Sequence, residues 1–482
     1  MNAPVVAARF NVIALSPIAA RPNRRGPRHL VLRALSIIVL ICGLLPLPVQ
    51  AQFAQQGPKL VGTDSLGFNL LSQGYSVSLS GEGNTAIIGA PFSIGPNLRQ
   101  EGTALLFTRS GGVWTQQQEI PGAFGSAFGF SVSLSADGNS AIIGNPLDVF
   151  DNAGYAAVHV RAGGVWIQQT LLANHNFYTE SGLLEGISVS LSADGNTAIV
   201  GAPGVVTFNG PSSNPGPATG AALVWTRSSD GNWAEQAILI GTDINGMYGN
   251  TFQGGSVSIS GDGNTAIVSG GSGAGPAAWV YTRGTDGGWT QQAILGGGGF
   301  SVSLSNDGST AIVGNASGAV VYARSSTAAG VVWNQVATLA GTGATFTPFG
   351  QPEAVFSVSL SADGYTAMVG TSVFTRSEVG WTQQELPSCT GAVGDAAQGF
   401  SVALSADGHT ALVGGPDDNS GTGAAWDYSA FVFPGTPGKA NCHRQRTAGL
   451  ARQYGGLNNA AATLGFSSVS ALQDAVMAFC QL

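Results

Sequence analysis

One short phrase returns seven times along this chain and constrains its fold more than any other feature. The copies are SVSLSGEGNTAIIG from Ser76, SVSLSADGNSAIIG from Ser131, SVSLSADGNTAIVG from Ser188, SVSISGDGNTAIVS from Ser256, SVSLSNDGSTAIVG from Ser301, SVSLSADGYTAMVG from Ser357 and SVALSADGHTALVG from Ser401. Their spacing varies, as expected when loops of different length join copies of one structural unit. The repetition predicts an array of like units rather than several unrelated domains.

Each unit contains four short β-rich runs. The phrase supplies two of them, a segment such as GTALLFTRS from Gly102 supplies the third, and a Trp-led segment such as WTQQQEI from Trp114 supplies the fourth. Short runs rich in Val, Ile, Thr and aromatic residues, separated by Gly-containing turns, are typical of β-strands. Four strands in each of seven units predict an all-β fold, a seven-bladed β-propeller over residues 52–437.

The phrase itself fits an innermost blade strand and a tight hairpin. Because blades pack face to face, Val77 and Leu79 are expected to fill one face while small serines occupy the other. The hairpin places an acid before Gly, where the backbone needs positive φ and the carboxylate can accept N–H bonds within the turn. We therefore interpret one set of acids as turn residues: Glu82, Asp137, Asp194, Asp262, Asp307, Asp363 and Asp407.

The two ends of the repeat region complement each other. The seventh copy runs on to Phe433 without a Trp-led segment, whereas FAQQGPKLVG from Phe53 is similar to that missing piece. An open ring would expose strand edges. The sequence therefore predicts that residues 53–62 complete the last blade.

The repeat resembles the FG-GAP repeat of integrin α-subunit propellers and of many bacterial secreted proteins. Phe128-Gly129 precedes the second copy, while Gly89-Ala90-Pro91 and Gly201-Ala202-Pro203 close second strands. The resemblance covers about residues 53–433 and implies the propeller fold. It leaves function open, since one fold serves many functions.

Integrin-type copies carry a calcium loop of the form DxDxDGxxD, and this chain departs from it. Around Asp194 the other ligand positions are occupied by Ser190, Ser192 and Ala198. One carboxylate does not form a tight calcium site. We therefore expect no metal, cofactor or catalytic residues in the repeats, with calcium binding kept as the alternative.

The first 51 residues have the pattern of a signal peptide. They contain six arginines and no acid, followed by an apolar run over 35–47 and the small-residue end Val49-Gln50-Ala51. The run is shorter than the ~20 residues that a membrane-spanning helix needs. The pattern predicts a secreted, extracellular or periplasmic protein with no transmembrane segment in its mature chain. An uncut anchor is the alternative.

The predicted mature chain is strongly acidic. Removing the six arginines from 18 basic residues leaves twelve against 26 acids, a formal charge of −14. A field of this sign repels polyanions, and the sequence has no basic cluster to offset it. Nucleic acid is therefore excluded as the expected partner.

The tail, residues 438–482, changes to a helical pattern. Val469, Leu472, Val476 and Phe479 share one helix face, with Ser470 and Gln473 as a candidate capping box, and a shorter helix is expected over 457–464. Cys442 and Cys480 flank the region, and an exported chain meets an oxidising compartment, so we predict a disulfide between them. Cys389 is left over, either free or paired with one of the two.

No catalytic constellation is visible outside the repeats. The four histidines of the mature chain accompany no nucleophile motif and are expected on the surface: His159, His175, His409 and His443. Several acids lie in loops, where they could line one face: Asp148, Asp151, Asp243, Asp395, Asp417 and Asp418. An enzyme is therefore the less favoured interpretation.

Long insertions between strands favour a binding function. Residues 204–219, 242–254 and 340–355 differ most between the copies, as binding loops on a rigid scaffold do. The leading hypothesis is a monomeric secreted or cell-surface binding or adhesion protein that engages a glycan or a protein. The alternatives are a polysaccharide lyase or hydrolase with its site in the channel, and a structural envelope protein.

Overall fold

The computed structural model describes most of the chain from residue 53 onward. It covers residues 53–430 except 65–68, 124, 148–152, 175–183, 205–218, 243–250, 273–274, 300, 328–329, 348–353 and 379, together with 447, 450–451, 456–463 and 468–480. The predicted signal peptide lies outside the described residues. Among the described residues, no helix combines the length and apolarity that crossing a bilayer requires.

The repeats form seven four-stranded antiparallel sheets, which confirms the all-β seven-bladed propeller. The innermost strands are β2 (Ser76–Leu79), β6 (Ser131–Leu134), β10 (Val189–Leu191), β14 (Val257–Ile259), β18 (Val302–Leu304), β22 (Val358–Leu360) and β26 (Ser401–Leu404). The second strands are β3 (Thr85–Ala90), β7 (Ser140–Asn145), β11 (Thr197–Ala202), β15 (Thr265–Ser272), β19 (Thr310–Asn315), β23 (Thr366–Val369) and β27 (Thr410–Gly415). Each innermost strand contacts that of the next blade, and β26 contacts β2, so the ring is closed.

The outer half of each blade follows the same order. The third strands are β4 (Thr103–Ser110), β8 (Tyr155–Ala162), β12 (Ala221–Arg227), β16 (Gly275–Arg283), β20 (Gly318–Thr327), β24 (Ser372–Ser377) and β28 (Ala424–Ala430). The outermost strands are β5 (Val113–Pro121), β9 (Val165–Leu172), β13 (Trp233–Leu239), β17 (Trp289–Leu295), β21 (Gly330–Ala340), β25 (Gly380–Glu385) and, from the N-terminal side, β1 (Phe53–Gln55).

The hydrophobic core is divided among the interfaces between blades. In β3, Ile88 belongs to the cluster shared with Leu412 of the seventh blade, whereas Ile87 belongs to the cluster shared with Ile143 of the second. Successive side chains of a strand point to opposite faces, so two adjacent isoleucines stabilise two different interfaces. The TAIIG-type runs are therefore strands buried on both faces.

Serines of the innermost strands join neighbouring blades. The Oγ of Ser78 accepts a hydrogen bond from the Leu134 N–H at 3.1 Å. The same bond recurs from Leu191 to Ser133, Ile259 to Ser190, Leu304 to Ser258, Leu360 to Ser303 and Leu404 to Ser359. Ala403 holds the corresponding position in the seventh blade. These hydroxyls satisfy edge N–H groups that the innermost strand cannot pair within its own sheet.

The six aspartates among the seven hairpin acids are held within their turns, as predicted, while Glu82 is exposed. Asp194 Oδ1 accepts hydrogen bonds from Ser192 Oγ at 2.6 Å and from the Asn196 N–H at 2.9 Å, while Gly195 has φ +67°. The same two bonds occur at Asp137, Asp262, Asp307, Asp363 and Asp407. Burial alone would raise the pKa of Asp194, but these hydrogen bonds lower it overall.

The seven hairpins are linked by a closed ring of backbone hydrogen bonds, which we call the hairpin ring. In each copy, the residue directly after the SVSLS-type run donates its backbone N–H to the carbonyl of the equivalent residue in the next blade, at 2.8–2.9 Å. The bonds run from Gly81 to Ala136, Ala193, Gly261, Asn306, Ala362, Ala406 and back to Gly81. The hairpin ring therefore marks one end of the central channel.

Glycines at the ends of second strands permit close approach of the blades. A Cβ on Gly89 would lie 2.0 Å from the Gly129 carbonyl oxygen in the next blade, and Gly129 itself has φ +88°. A Cβ on Gly144 would lie 1.9 Å from the corresponding Gly186 oxygen. The glycines that carry the FG-GAP resemblance thus have a packing role.

The N-terminal segment closes the last blade, which confirms the predicted complementation. Phe53 pairs with Ala430 and Gln55 with Tyr428 in an antiparallel register. Leu60 continues the contact through two backbone hydrogen bonds with Ala425. The seventh sheet therefore combines the two ends of the repeat region.

Two ion pairs lie at this closure. Lys59 pairs with the buried Asp418. Across the junction between the seventh and first blades, Asp427 Oδ2 accepts from Arg109 Nη1 at 2.9 Å and from Trp114 Nε1 at 2.8 Å, and the Asp427 side chain is fully buried. Burial raises the pKa of Asp427, while Arg109 opposes this shift. The closure thus depends on buried polar contacts as well as apolar packing.

The tail contains the helices that its pattern predicts. After the short α1 (Asp418–Gly421) of the seventh blade, the tail forms α2 (Leu457–Thr463) and α3 (Val469–Cys480). Leu472 and Val476 are fully buried. The capping box at Ser470 is wrong: α3 begins earlier, and Ser468 Oγ accepts the Ala471 N–H at 3.1 Å. Cys442 and the side chain of Cys480 lie outside the described residues, so the disulfide stays a prediction.

Candidate binding cavity at the channel mouth

In the copies whose preceding residue is described, that residue lies at the channel end opposite the hairpin ring. Five of these preceding residues line a cavity of about 390 Å³: Tyr75, Phe130, Ile187, Gly255 and Phe400. The first residues of the innermost strands line it as well. All seven blades contribute to its lining. We call this space the mouth cavity.

Aromatic rings form one side of the mouth cavity. The centroid of Tyr75 lies 4.8 Å from that of Phe130 and 4.9 Å from that of Phe400, and Phe346 lies 5.9 Å from Phe400. These four residues, the aromatic wall, are only half-buried, so part of each ring faces the cavity. Such offset and tilted arrangements are favourable for aromatic groups. Phe92 packs edge-on against Tyr75 and supports the wall.

One long insertion reaches this site. Phe346 and Thr347 of the insertion 340–355 line the mouth cavity. Reciprocal backbone hydrogen bonds with Val355, at 2.8 and 3.0 Å, hold Phe346 in place. The insertions 204–219 and 242–254 lie mostly outside the described residues, so their role in binding stays a prediction.

A ring of serine hydroxyls lies beside the aromatic wall. Four of these serines donate to a glycine carbonyl of the next blade, as Ser76 does to Gly129 at 2.9 Å, which leaves oxygen lone pairs free. The other three accept a valine N–H instead: Ser256, Ser301 and Ser357. Their hydroxyl protons remain available as donors. The mouth cavity therefore offers both donors and acceptors next to apolar rings.

The described lining of the mouth cavity carries no acid, histidine, cysteine, lysine or arginine, and Tyr75 is its titratable residue. Burial raises the pKa of Tyr75 to about 12. The phenol is therefore neutral at physiological pH and can donate a hydrogen bond. The site suits an uncharged ligand with polar groups.

The three described loop acids that were candidates for a catalytic face do not line this cavity. Asp395 and Asp417 are exposed, and Asp418 is buried in its pair with Lys59. Asp148, Asp151 and Asp243 lie outside the described residues. Within the described part of the chain, no group of three or more His, Cys, Asp or Glu side chains is arranged to hold a metal ion.

The surface prediction for His159 is wrong. His159 is 4% exposed in β8 and packs against Phe128, with ring centroids 6.3 Å apart and a buried, unpaired Nδ1. Burial lowers its pKa to about 4. His409 is on the surface as predicted, beside Asp407 at 3.1 Å. His175 and His443 lie outside the described residues.

The position of His159 explains its burial. The matching position of the third strand holds an aromatic residue in every other blade: Phe107, Trp225, Tyr281, Tyr322, Phe374 and Tyr428. His159 therefore occupies a core site between blades. It does not belong to the mouth cavity.

The aromatic wall is the feature that sequence reasoning missed. The signal is present, since glycine and an aromatic residue precede the phrase at 74–75, 129–130, 299–300 and 399–400. Only the structure shows that Tyr75, Phe130 and Phe400 meet around one axis, because they are separated by whole blades in the sequence, and Phe300 lies outside the described residues.

No protein-family model matches the chain, and no curated protein matches it. A solved protein of Lactobacillus plantarum is similar at 15% identity and TM-score 0.45, covering 65% of this chain and 83% of its own. Hydrazine synthase of Kuenenia stuttgartiensis is similar at 13% identity and TM-score 0.44, and the match covers 73% of this chain and 95% of that one. A periplasmic gluconolactonase of Pseudomonas aeruginosa is similar at 15% identity and TM-score 0.41, and the match covers 65% of this chain and 88% of that one. The assignment of seven blades rests on the sheets of this chain itself.

Proposed function

We propose that this protein is an exported binding module of the FG-GAP type that holds a neutral glycan in the mouth cavity. The observation that carries the proposal is the aromatic wall beside a ring of serine hydroxyls. Sugar rings present flat C–H faces that pack on aromatic rings, and their hydroxyls need donors and acceptors close by. Sites for such ligands combine mostly apolar walls with a few placed polar groups.

Binding is favoured over catalysis by the chemistry of the lining. Glycoside hydrolysis needs two carboxyl groups on either side of the scissile bond. The described lining of the mouth cavity contains no carboxyl group, and the nearby serines lack a histidine that would activate them. The proposal therefore predicts retention of a glycan without cleavage.

A glycan array with matched variants tests this function. Phe400→Ala removes the ring at the centre of the aromatic wall and should weaken glycan binding at least about tenfold, since one stacked ring contributes about 1.5 kcal/mol. Tyr365→Ala is the control, because Tyr365 is an exposed aromatic residue of a hairpin, at the other end of the channel. Calorimetry on the retained glycan gives the dissociation constants, and thermal unfolding shows whether each variant is folded.

Three results would contradict the proposal. One is that no neutral glycan is retained, and another is that a folded Phe400→Ala variant binds as tightly as the unaltered protein. The third is the release of shorter oligosaccharides, which would indicate the lyase or hydrolase alternative instead.

Export and the tail disulfide belong to the same proposal. Export is supported by the arginines and apolar run that precede residue 52, and an oxidising compartment would join Cys442 to Cys480. Cys389 is a half-buried free thiol, and burial raises its pKa. Thiol titration of the exported, denatured chain should therefore find one free thiol. Three free thiols would rule out the disulfide.

A further inference from the structure

We infer that the mouth cavity takes the end of a glycan chain and not its middle. This inference rests on the proposed function and specifies how the ligand enters. A site that recognises internal segments needs an open groove with two exits for the chain, whereas a cavity with one opening admits only a terminus. The structure gives four observations on the shape of this space.

The far end of the channel is narrowed by the hairpin ring. Residues joined by an N–H to carbonyl bond lie about 5 Å apart, so seven such steps give a circle of Cα atoms only about 11 Å across. Neighbouring members of the hairpin ring lie close together, since a Cβ on Gly261 would lie 1.6 Å from Asn306 Oδ1 and one on Gly81 would lie 3.3 Å from the Ala136 Cβ. This opening is too small for a chain of sugar rings to pass.

The sides of the channel are joined as well. Six of the seven junctions between innermost strands carry the serine to N–H bond described above. At the seventh junction, Ala403 packs in the same cluster as Leu79 and Leu412. The described blades therefore leave the mouth as the route by which a ligand enters and leaves.

The rim of the mouth is asymmetric. The aromatic wall runs from the insertion that carries Phe346 through the seventh and first blades to the second, whereas the third and fourth blades contribute Ile187 and Gly255 at the same level. Gly255 has no side chain to raise the rim on the side facing Tyr75. Among the described rim residues, Gly255 is therefore the one over which we expect the rest of the chain to leave when a terminal sugar stacks on the wall.

Size and charge limit what that terminus is. A volume of about 390 Å³ is near the lower end of the range for small-ligand sites and fits a terminal disaccharide rather than a longer segment. The described lining offers no cation to a uronate or other acidic sugar, and burying an unpaired carboxylate is costly. The terminus is therefore an uncharged sugar.

Chain-length dependence tests the inference. The probes are linear neutral oligosaccharides from disaccharide to hexasaccharide in the cello, malto, manno and galacto series, their long polymers, and the cyclic malto-oligosaccharides, which have no ends. Calorimetry gives the dissociation constant and the number of protein molecules per chain. We expect one protein per chain at every length, a dissociation constant that stays within about twofold beyond the disaccharide, and no binding of cyclic forms.

The outcomes separate the inference from the proposed function. Several protein molecules on one long chain, affinity that rises with chain length, or binding of a cyclic form would overturn end recognition while leaving glycan binding in place. Retention of no neutral glycan in these series or on the array would overturn both. The Phe400→Ala variant should weaken every bound member of a series equally, and unequal weakening would place part of the contact outside the mouth cavity.

Discussion

Replacing Asp427 with alanine should lower the free energy of unfolding by about 3–5 kcal/mol, the loss expected when one partner of a buried ion pair is removed. Asp427 accepts hydrogen bonds from Arg109 and Trp114 across the junction that closes the ring. In two other blades, the arginine and tryptophan at the equivalent positions donate to a glutamine in the outermost strand of the preceding blade. Arg227 and Trp233, for example, donate to Gln169. The seventh blade has only the short β1 at that place, so Asp427 supplies the acceptor. Urea unfolding measures the change.

Asp417→Ala is the matched control, since Asp417 is an exposed acid of the same blade and should change stability by less than about 0.5 kcal/mol. The double variant Arg109→Leu/Asp427→Leu should recover part of the loss, because it leaves no buried charge unpaired. Equal stability of Asp427→Ala and Asp417→Ala would show that the pair does not stabilise the closure.

The protein should lose stability as the pH falls from about 6.5 to 4, and replacing His159 with phenylalanine should abolish most of this loss. The unfolded chain binds a proton at His159 near pH 6.5, whereas the folded protein binds it only near pH 4. The contribution of neutral His159 to the free energy of unfolding is therefore fully present above pH 6.5. It falls as the pH is lowered through this interval, by about 3 kcal/mol in total. Phenylalanine is the residue of the first and sixth blades at this position, as Phe107 and Phe374 show.

Urea midpoints at pH 7 and pH 4.5 measure this effect. The His409→Asn variant is the control, because His409 is exposed and asparagine is common at that turn position, so this variant should keep the acid sensitivity that burial of His159 causes. A His159→Phe variant that remained as acid-sensitive as the unaltered protein would assign the loss to other groups. The hairpin aspartates, whose pKa values are lowered, contribute their own loss only below about pH 4.

Most of the fold could be predicted because its signals are local and repeated seven times. Turn chemistry such as Asp194-Gly195 and the alternation around Val77 act within a few residues, and they indicate strands and hairpins directly. Closure by Phe53 was also predictable, because the segment has the pattern of the piece that the last repeat lacks. Asp427 was not, because its partners come from another blade and a distant part of the sequence.

The site was harder to predict than the scaffold. His159 was assigned to the surface from its residue type, although its alignment with Phe107 and Tyr281 places it in the core. Tyr75 and Phe400 are more than three hundred residues apart, and only the circular order of the blades brings their rings to 4.9 Å. Contacts between these aromatic side chains depend on closure of the propeller, and the residues near each of them in the sequence do not indicate that closure.

The sharing of one sheet by both ends of the repeat region has a consequence for biosynthesis. β1 is made before any blade, yet its partner strand β28 is made after the other six blades have left the ribosome. The earliest residues of the propeller must therefore wait, unpaired, for the latest ones. A nascent or truncated chain has a gap where β28 belongs, which leaves the edges of β1 and β27 without their partner strand.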